Sequence, residues 1–298
     1  AGSMLDLGTR ERTRQQFEDA LDALKAKVSL SGGSTQASAS GETVRANLGG
    51  VLKLVAEAMK APAFDAGEFD KLVRANLASI EKARTDPQAI AGREFNRHLK
   101  PWPAGDVRET PTFEESIARL RAAKLDDVRA FHAKFYGASN AELAIVGDFD
   151  PAEARRLAEE LFGSWTSPAP YARVADPFRA TAPVVRTIET PDKANAVLVG
   201  GMTIPLWDRS PDYPALLVAE RILGGATEAR MFSVVRTKLG LSYGVGTWLD
   251  EGRLDENSTF GVYAIYAPQN LEKVRAAVAA EIAQALEKGY TEEEVENA

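Results

Sequence analysis

The sequence contains no cysteine and only two histidines, and these two scarcities remove much metal and thiol chemistry at once. Without cysteine there is no disulfide, no thiolate nucleophile and no cysteine-ligated zinc. His98 lies in Phe95-Asn-Arg-His-Leu and His132 in Ala130-Phe-His-Ala-Lys-Phe, both helical in character. Neither has a histidine or carboxylate at i+4, so the HExxH pattern that holds zinc on one helix face is absent. Both histidines read as structural or surface residues. Long apolar runs are missing too, with none near the roughly 20 residues that span a bilayer. Nor is there a basic cluster, and a formal net charge of -7 argues against a nucleic-acid surface.

What is present is an ordinary globular composition, 45% hydrophobic and 27% charged over 298 residues, enough for about two domains with sizeable cores. Thr13 is a plausible N-cap for a helix bearing Phe17, Leu21 and Leu24. Val28-Ser-Leu-Ser and Ser34-Thr-Gln-Ala-Ser-Ala-Ser flank Gly32-Gly33, a two-residue hairpin signal. Val44, Leu48, Val51, Leu52, Val55 and Met59 then line one side of a long helix that Pro62 stops. Glu68 to Arg84 gives another, and residues 87–136 read as helices broken by a loop around Lys100-Pro-Trp-Pro-Ala-Gly-Asp. Residues 141–147 read as a short buried strand. Asp150 caps the next helix, with Pro151 at its first position.

Residues 164–183, rich in Ser, Pro and Ala, carry no periodicity and make the best linker. Beyond them the sequence predicts strands over 184–189 and 194–202 and a helix opened by Ser210-Pro211. A strand follows around Thr259-Phe-Gly-Val-Tyr-Ala-Ile-Tyr, then a helix from Gln269 to Lys288. Thr291 with Glu294 forms a capping box for one last short helix.

The most informative stretch runs from Ala229 to Asp250. Met231, Phe232, Val235 and Leu239 predict a helical stripe, and Gly240 sits where a left-handed residue would close that helix. The period then becomes two, placing Leu241, Tyr243, Val245, Thr247 and Leu249 on one strand face. Arg236 in the last helical turn and Tyr243 at the strand's start lie seven residues apart across this corner. A guanidinium and a phenol there can both donate hydrogen bonds to a carbonyl oxygen. A plainer account also exists: a basic residue offsets the helix dipole, and tyrosine favours strands.

Two parts of the chain share the order helix, strand, strand, long helix, break, acidic helix start. Leu48 corresponds to Leu271, and Phe64-Asp-Ala-Gly-Glu-Phe-Asp to Tyr290-Thr-Glu-Glu-Glu-Val-Glu. Units of this size are domains, not solenoid repeats. In this register the first lacks its opening strands and the second its closing half, so the parent chain is expected to extend on both sides.

Several motifs now bear comparison: Met4-Leu-Asp-Leu-Gly-Thr, the helix ending Ser79-Ile80, Asp126-Asp-Val-Arg-Ala-Phe-His-Ala-Lys-Phe-Tyr, Val146-Gly-Asp-Phe-Asp and Val235-Arg-Thr-Lys-Leu-Gly-Leu-Ser-Tyr. Through them, over nearly all of residues 4–298, the chain resembles the insulinase/pitrilysin family of zinc peptidases, including the bacterial processing-peptidase type. The last motif is the most specific. The resemblance implies an α+β fold of two homologous units, each an antiparallel-rich sheet with helices packed on one face, both truncated here. Residues 4–165 would be the first unit, 166–182 the linker and 183–298 the second. It also implies that Arg236 and Tyr243 bind a substrate carbonyl.

The family's HxxEH motif precedes the Met-Leu that matches Met4-Leu5. In this chain the slot holds Ala1-Gly2-Ser3, with Ser3 at the second histidine. The third ligand, a glutamate, is replaced by Ser79, whose neutral hydroxyl cannot stand in for a carboxylate on zinc. The expectation is therefore a chain without metal, inactive alone, that supplies Arg236 and Tyr243 to an HxxEH-bearing half or subunit where the zinc resides. Its substrate would be a peptide or unfolded polypeptide, with no nucleic acid and no membrane span. Periplasmic location is suggested by the family alone. The alternative is a catalytically inactive structural or peptide-binding member; a third arrangement places HxxEH upstream in the same chain. Elsewhere, Gly244-Val-Gly246 lacks the third glycine of a dinucleotide loop, and Ser242 has no histidine nearby in sequence.

Overall fold

The computed structural model describes residues 1–298. The first elements are α1 (Arg14–Ala23), β1 (Lys27–Gly32), β2 (Ala37–Glu42) and α2 (Leu48–Lys60). Helices α3 (Ala66–Ala83), α4 (Pro87–Leu99), α5 (Phe113–Ala122), α6 (Leu125–Phe135) and α7 (Pro151–Phe162) follow. Then come β3 (Ala196–Ile204), α8 (Tyr213–Glu220), β4 (Ser242–Asp250), β5 (Ser258–Tyr266), α9 (Leu271–Lys288) and α10 (Glu292–Asn297). No helix is long and apolar enough to cross a membrane.

Two compact units result: Ala1–Ser79 with Glu114–Val174, and Ile80–Phe113 with Ala175–Ala298. The segment 80–113, which the sequence groups with the first unit, packs with the second. In the first unit, Thr13 caps α1 through a full capping box with Gln16. Phe17 of α1 is buried with Leu5, Leu30, Leu54 and Ala58, so α1 and α2 close over the β1–β2 hairpin. The antiparallel pairing extends to Gly32 with Ala37, and Gly33 N–H donates to Gln36 O at 2.8 Å. The turn is thus centred on Ser34-Thr35, two residues beyond the expected Gly32-Gly33. Gly32 serves close packing instead, since a Cβ there would lie 2.8 Å from both the Gly2 Cα and the Tyr136 hydroxyl.

In the second unit the sheet order is β3-β5-β4, antiparallel throughout. Val245, Val262, Ala264 and Tyr266 of the sheet bury against Met231, Val235, Val274 and Val278, which makes α9 and the 231–238 segment its helical cover. The opposite face meets α4. There Trp248 lies across Gly261, Phe95 of α4 packs edge-on to Trp248 with centroids 5.8 Å apart, and Gly201 leaves room for the Phe95 ring.

Two expected strands are not strands. Residues 141–147 and 184–189 form no regular element, and Val146 is 99% exposed rather than buried. A strand exists only where a neighbour completes its backbone bonds, and no strand of this chain pairs with either segment. The expected strand over 194–202 does form, as β3.

Candidate functional site

The corner joining Arg236 to Tyr243 is built on two π-helical segments, Arg221–Gly225 and Phe232–Lys238. The sequence predicts an α-helix at the second, and the local residues contain no signal for the wider turn. π-segments are rare and gather at functional sites. Met231 and Val235 are fully buried, as their spacing predicts, whereas Leu239 leaves the stripe and is exposed. The end of the segment closes as expected of a left-handed glycine: Gly240 has φ +62°. Its N–H donates to Arg236 O at 3.1 Å, and that of Leu241 to Val235 O at 3.0 Å. Both bonds span one residue more than in the usual left-handed closure, which fits a π-helix.

Strand β4 starts with a bulge. Ser242 pairs with Tyr266 and Gly244 with Ile265, so Tyr243 is the extra residue. The Ser242 hydroxyl fills the irregularity, lying 2.7 Å from the carbonyl oxygens of both Gly244 and Ile265, while Gly244 N–H donates to it at 3.2 Å. A hydroxyl tied up in this way is no nucleophile. Tyr243 is expelled from the sheet and is 65% exposed. The expected common face of Tyr243 with Val245 and Thr247 is thereby broken, because a bulge shifts the alternation by one residue.

Beneath β4 the first π-segment presses directly on the strand. Thr247 Oγ1 donates to the buried Glu220 carboxylate at 2.8 Å, and a Cβ on Gly224 would lie 2.6 Å from Thr247 N. Gly224-Gly225 closes the π-helical segment that continues α8, and Gly224 permits a backbone-to-backbone approach to β4 at Thr247.

At the corner both donor groups are open. Arg236 is exposed, its guanidinium carbon 4.6 Å above the Phe232 ring, and neither it nor the Tyr243 phenol is committed to a protein hydrogen bond. Unspent donors on one corner suit an incoming acceptor. His98 and His132 lie elsewhere, each with Nε2 at a backbone oxygen: Ala182 O at 2.8 Å and Met59 O at 2.9 Å. Burial lowers the His132 pKa. Ser79 is an exposed residue of α3, and no group of three or more His, Cys, Asp or Glu lies close enough together to hold a metal ion. The residues present therefore offer no ligand set for a zinc centre.

Comparisons with known proteins identify the family. Residues 122–298 match the family described as Peptidase M16 inactive domain. A Rickettsia bellii protein described as an uncharacterized zinc protease is 26% identical over 98% of this chain and 68% of its own length. Curated relatives are in general longer, this chain spanning 63–68% of them. The crystal structure of a peptidase M16 inactive domain from Pseudomonas fluorescens superposes with a TM-score of 0.86 at 24% identity, covering 99% of this chain and 70% of that one. A protease from Helicobacter pylori gives 0.80 at 17% identity, over 99% and 71%. The chain belongs to the peptidase M16 family, as the inactive domain that forms the non-catalytic half of the insulinase/pitrilysin architecture.

Proposed function

We propose that this chain is the carbonyl-binding half of a metalloendopeptidase, with Arg236 and Tyr243 as its substrate-contacting residues and an HxxEH-bearing M16 half as its partner. The observation that carries the proposal is the exposed pair of uncommitted donors at a corner whose backbone is fixed by Gly240 and the β4 bulge. A peptide carbonyl gains negative charge on its oxygen as the carbon is attacked. Donors already oriented toward that oxygen stabilise the transition state more than the ground state. Tyr243 would supply a neutral O–H and Arg236 a charged N–H, so the second bond is the stronger. Hydrolysis itself belongs to the other half, and no metal is assigned to this chain. The two family units, residues 4–165 and 183–298 about the linker 166–182, are part of this proposal.

The test is Tyr243→Phe in the peptidase assembled with its catalytic half. Loss of one such donor lowers turnover by about 10²–10³-fold, with an unchanged melting temperature because the phenol touches solvent. Wild-type turnover would remove Tyr243 from the role. If no assembly with an HxxEH half cleaves peptides, the structural or peptide-binding alternative takes its place.

A further inference from the structure

Arg230 stands one residue before the N-cap of the π-helix that carries Arg236, and it is bound on several sides. Its Nε and Nη2 donate to the two carboxylate oxygens of Glu294 at 2.5 and 2.6 Å, and Nη2 also donates to Gly289 O at 3.1 Å. The guanidinium carbon lies 4.8 Å from the centre of the Tyr290 ring. Glu294 is in turn the third residue of the Thr291 capping box and accepts the Thr291 N–H at 2.8 Å. One carboxylate therefore serves both the start of α10 and the entry to the π-helix.

We propose that Arg230 is the positioning residue of the carbonyl-binding corner, clamping the N-terminal end of the π-helix to the α9–α10 turn through Glu294. The inference rests on the reading of Arg236 and Tyr243 given above. Three observations support it. First, a π-helix is a rare winding beside the ordinary α-helix, so its persistence at this place depends on anchors outside it. Met231 and Val235 anchor it to the core by apolar contact alone, which fixes depth but not rotation. A planar two-point fork fixes orientation as well.

Second, stability alone does not account for the clamp. Arg230 Nη1 is buried without a partner, and partly buried ion pairs contribute little that apolar packing would not. Third, the other unit has the same capping glutamate without the fork. Glu68 matches Glu294 in the repeat and has its own N–H capped by Asp65 at 2.9 Å. Its carboxylate instead takes Lys71 of the same helix at 2.7 Å, with Arg14 only at 3.6 Å. The fork occurs in the unit that bears the Arg/Tyr pair.

Arg230→Met keeps the side-chain volume and drops the fork; Glu294→Gln is a milder second variant that leaves Arg230 in place. In the assembled peptidase, Arg230→Met is expected to lower kcat about 10- to 100-fold, the scale of a misplaced reacting group, with KM within about threefold. Amide exchange over residues 232–241 should quicken while the melting temperature stays within a few degrees. Glu294→Gln should move kcat and exchange the same way by less. Wild-type kcat and unchanged exchange in both variants, beside an impaired Tyr243→Phe, would overturn the clamp. An unimpaired Tyr243→Phe with faster exchange in Arg230→Met would instead overturn the carbonyl reading and keep the anchor.

Discussion

Tyr243 and Val245 stand two residues apart on β4, yet the first is 65% exposed and the second 3%. Regular alternation would put them on one face. The extra residue at the bulge, held by the Ser242 hydroxyl, turns the phenol out of the sheet and leaves Val245 in the core. A bulge next to a site commonly re-aims one side chain in this way. The opening at Arg236 is made by the equivalent device in the helix, an over-wide turn closed by Gly240.

The approach of Gly224 to β4 should be intolerant of a methyl group. A Cβ there would meet Thr247 N at 2.6 Å and Thr247 Oγ1 at 2.7 Å, and a paired strand's backbone cannot step aside. Gly224→Ala is expected to destabilise the second unit by about 1–3 kcal/mol, the usual cost of overpacking. A urea titration reads this as a lower midpoint at constant slope; an unchanged midpoint would mean that β4 is free to shift.

Acid should weaken the second unit through two carboxylates. Glu294, bonded foremost by Arg230, is held from near 4.5 down to about 2, and Asp106, bonded foremost by Arg108, from 3.8 to about 2. A depressed folded-state pKa means that the stabilisation is complete above the unfolded value and drains away as pH falls toward the folded one. Stability should therefore decline from about pH 4.5 to about pH 2. Glu294→Gln should flatten part of that decline in denaturation curves measured across this window. A variant with the wild-type slope would show that the Arg230 fork is not formed in solution.

The chain alone should hold no stoichiometric zinc. By the family resemblance, Ser79 stands where a third ligand would be, and neither histidine has a metal-binding neighbour at i+4. Equilibrium dialysis against buffered zinc followed by elemental analysis checks it. One tightly bound zinc per chain would overturn the argument from Ser79.

Much of this was readable in order along the chain. The Thr13 N-cap, the Thr291 capping box, Asp150 with Pro151, and the left-handed Gly240 were all predicted from local rules and occur as predicted. Such features involve residues within three or four positions of one another, so a single sequence carries them. The strands over 141–147 and 184–189 failed because their apolar pattern speaks only of composition, while a strand also needs a partner. Gly32-Gly33 misled in a related way, since its glycine answers to Gly2 and Tyr136, far away in sequence.

By itself, then, the sequence offered Arg236 and Tyr243 as paired donors about a helix-to-strand corner, and its family resemblance implied the α+β class and placed Ser79 where a zinc ligand would be, because short motifs carry each of these. Only the tertiary structure decided that the helix before Gly240 is a π-helix, that Tyr243 bulges out of β4, and that Arg230 grips Glu294 from 64 residues away. Each of these depends on which distant backbone or side chain arrives to complete a hydrogen bond. The identities of the neighbouring residues in the chain do not encode that.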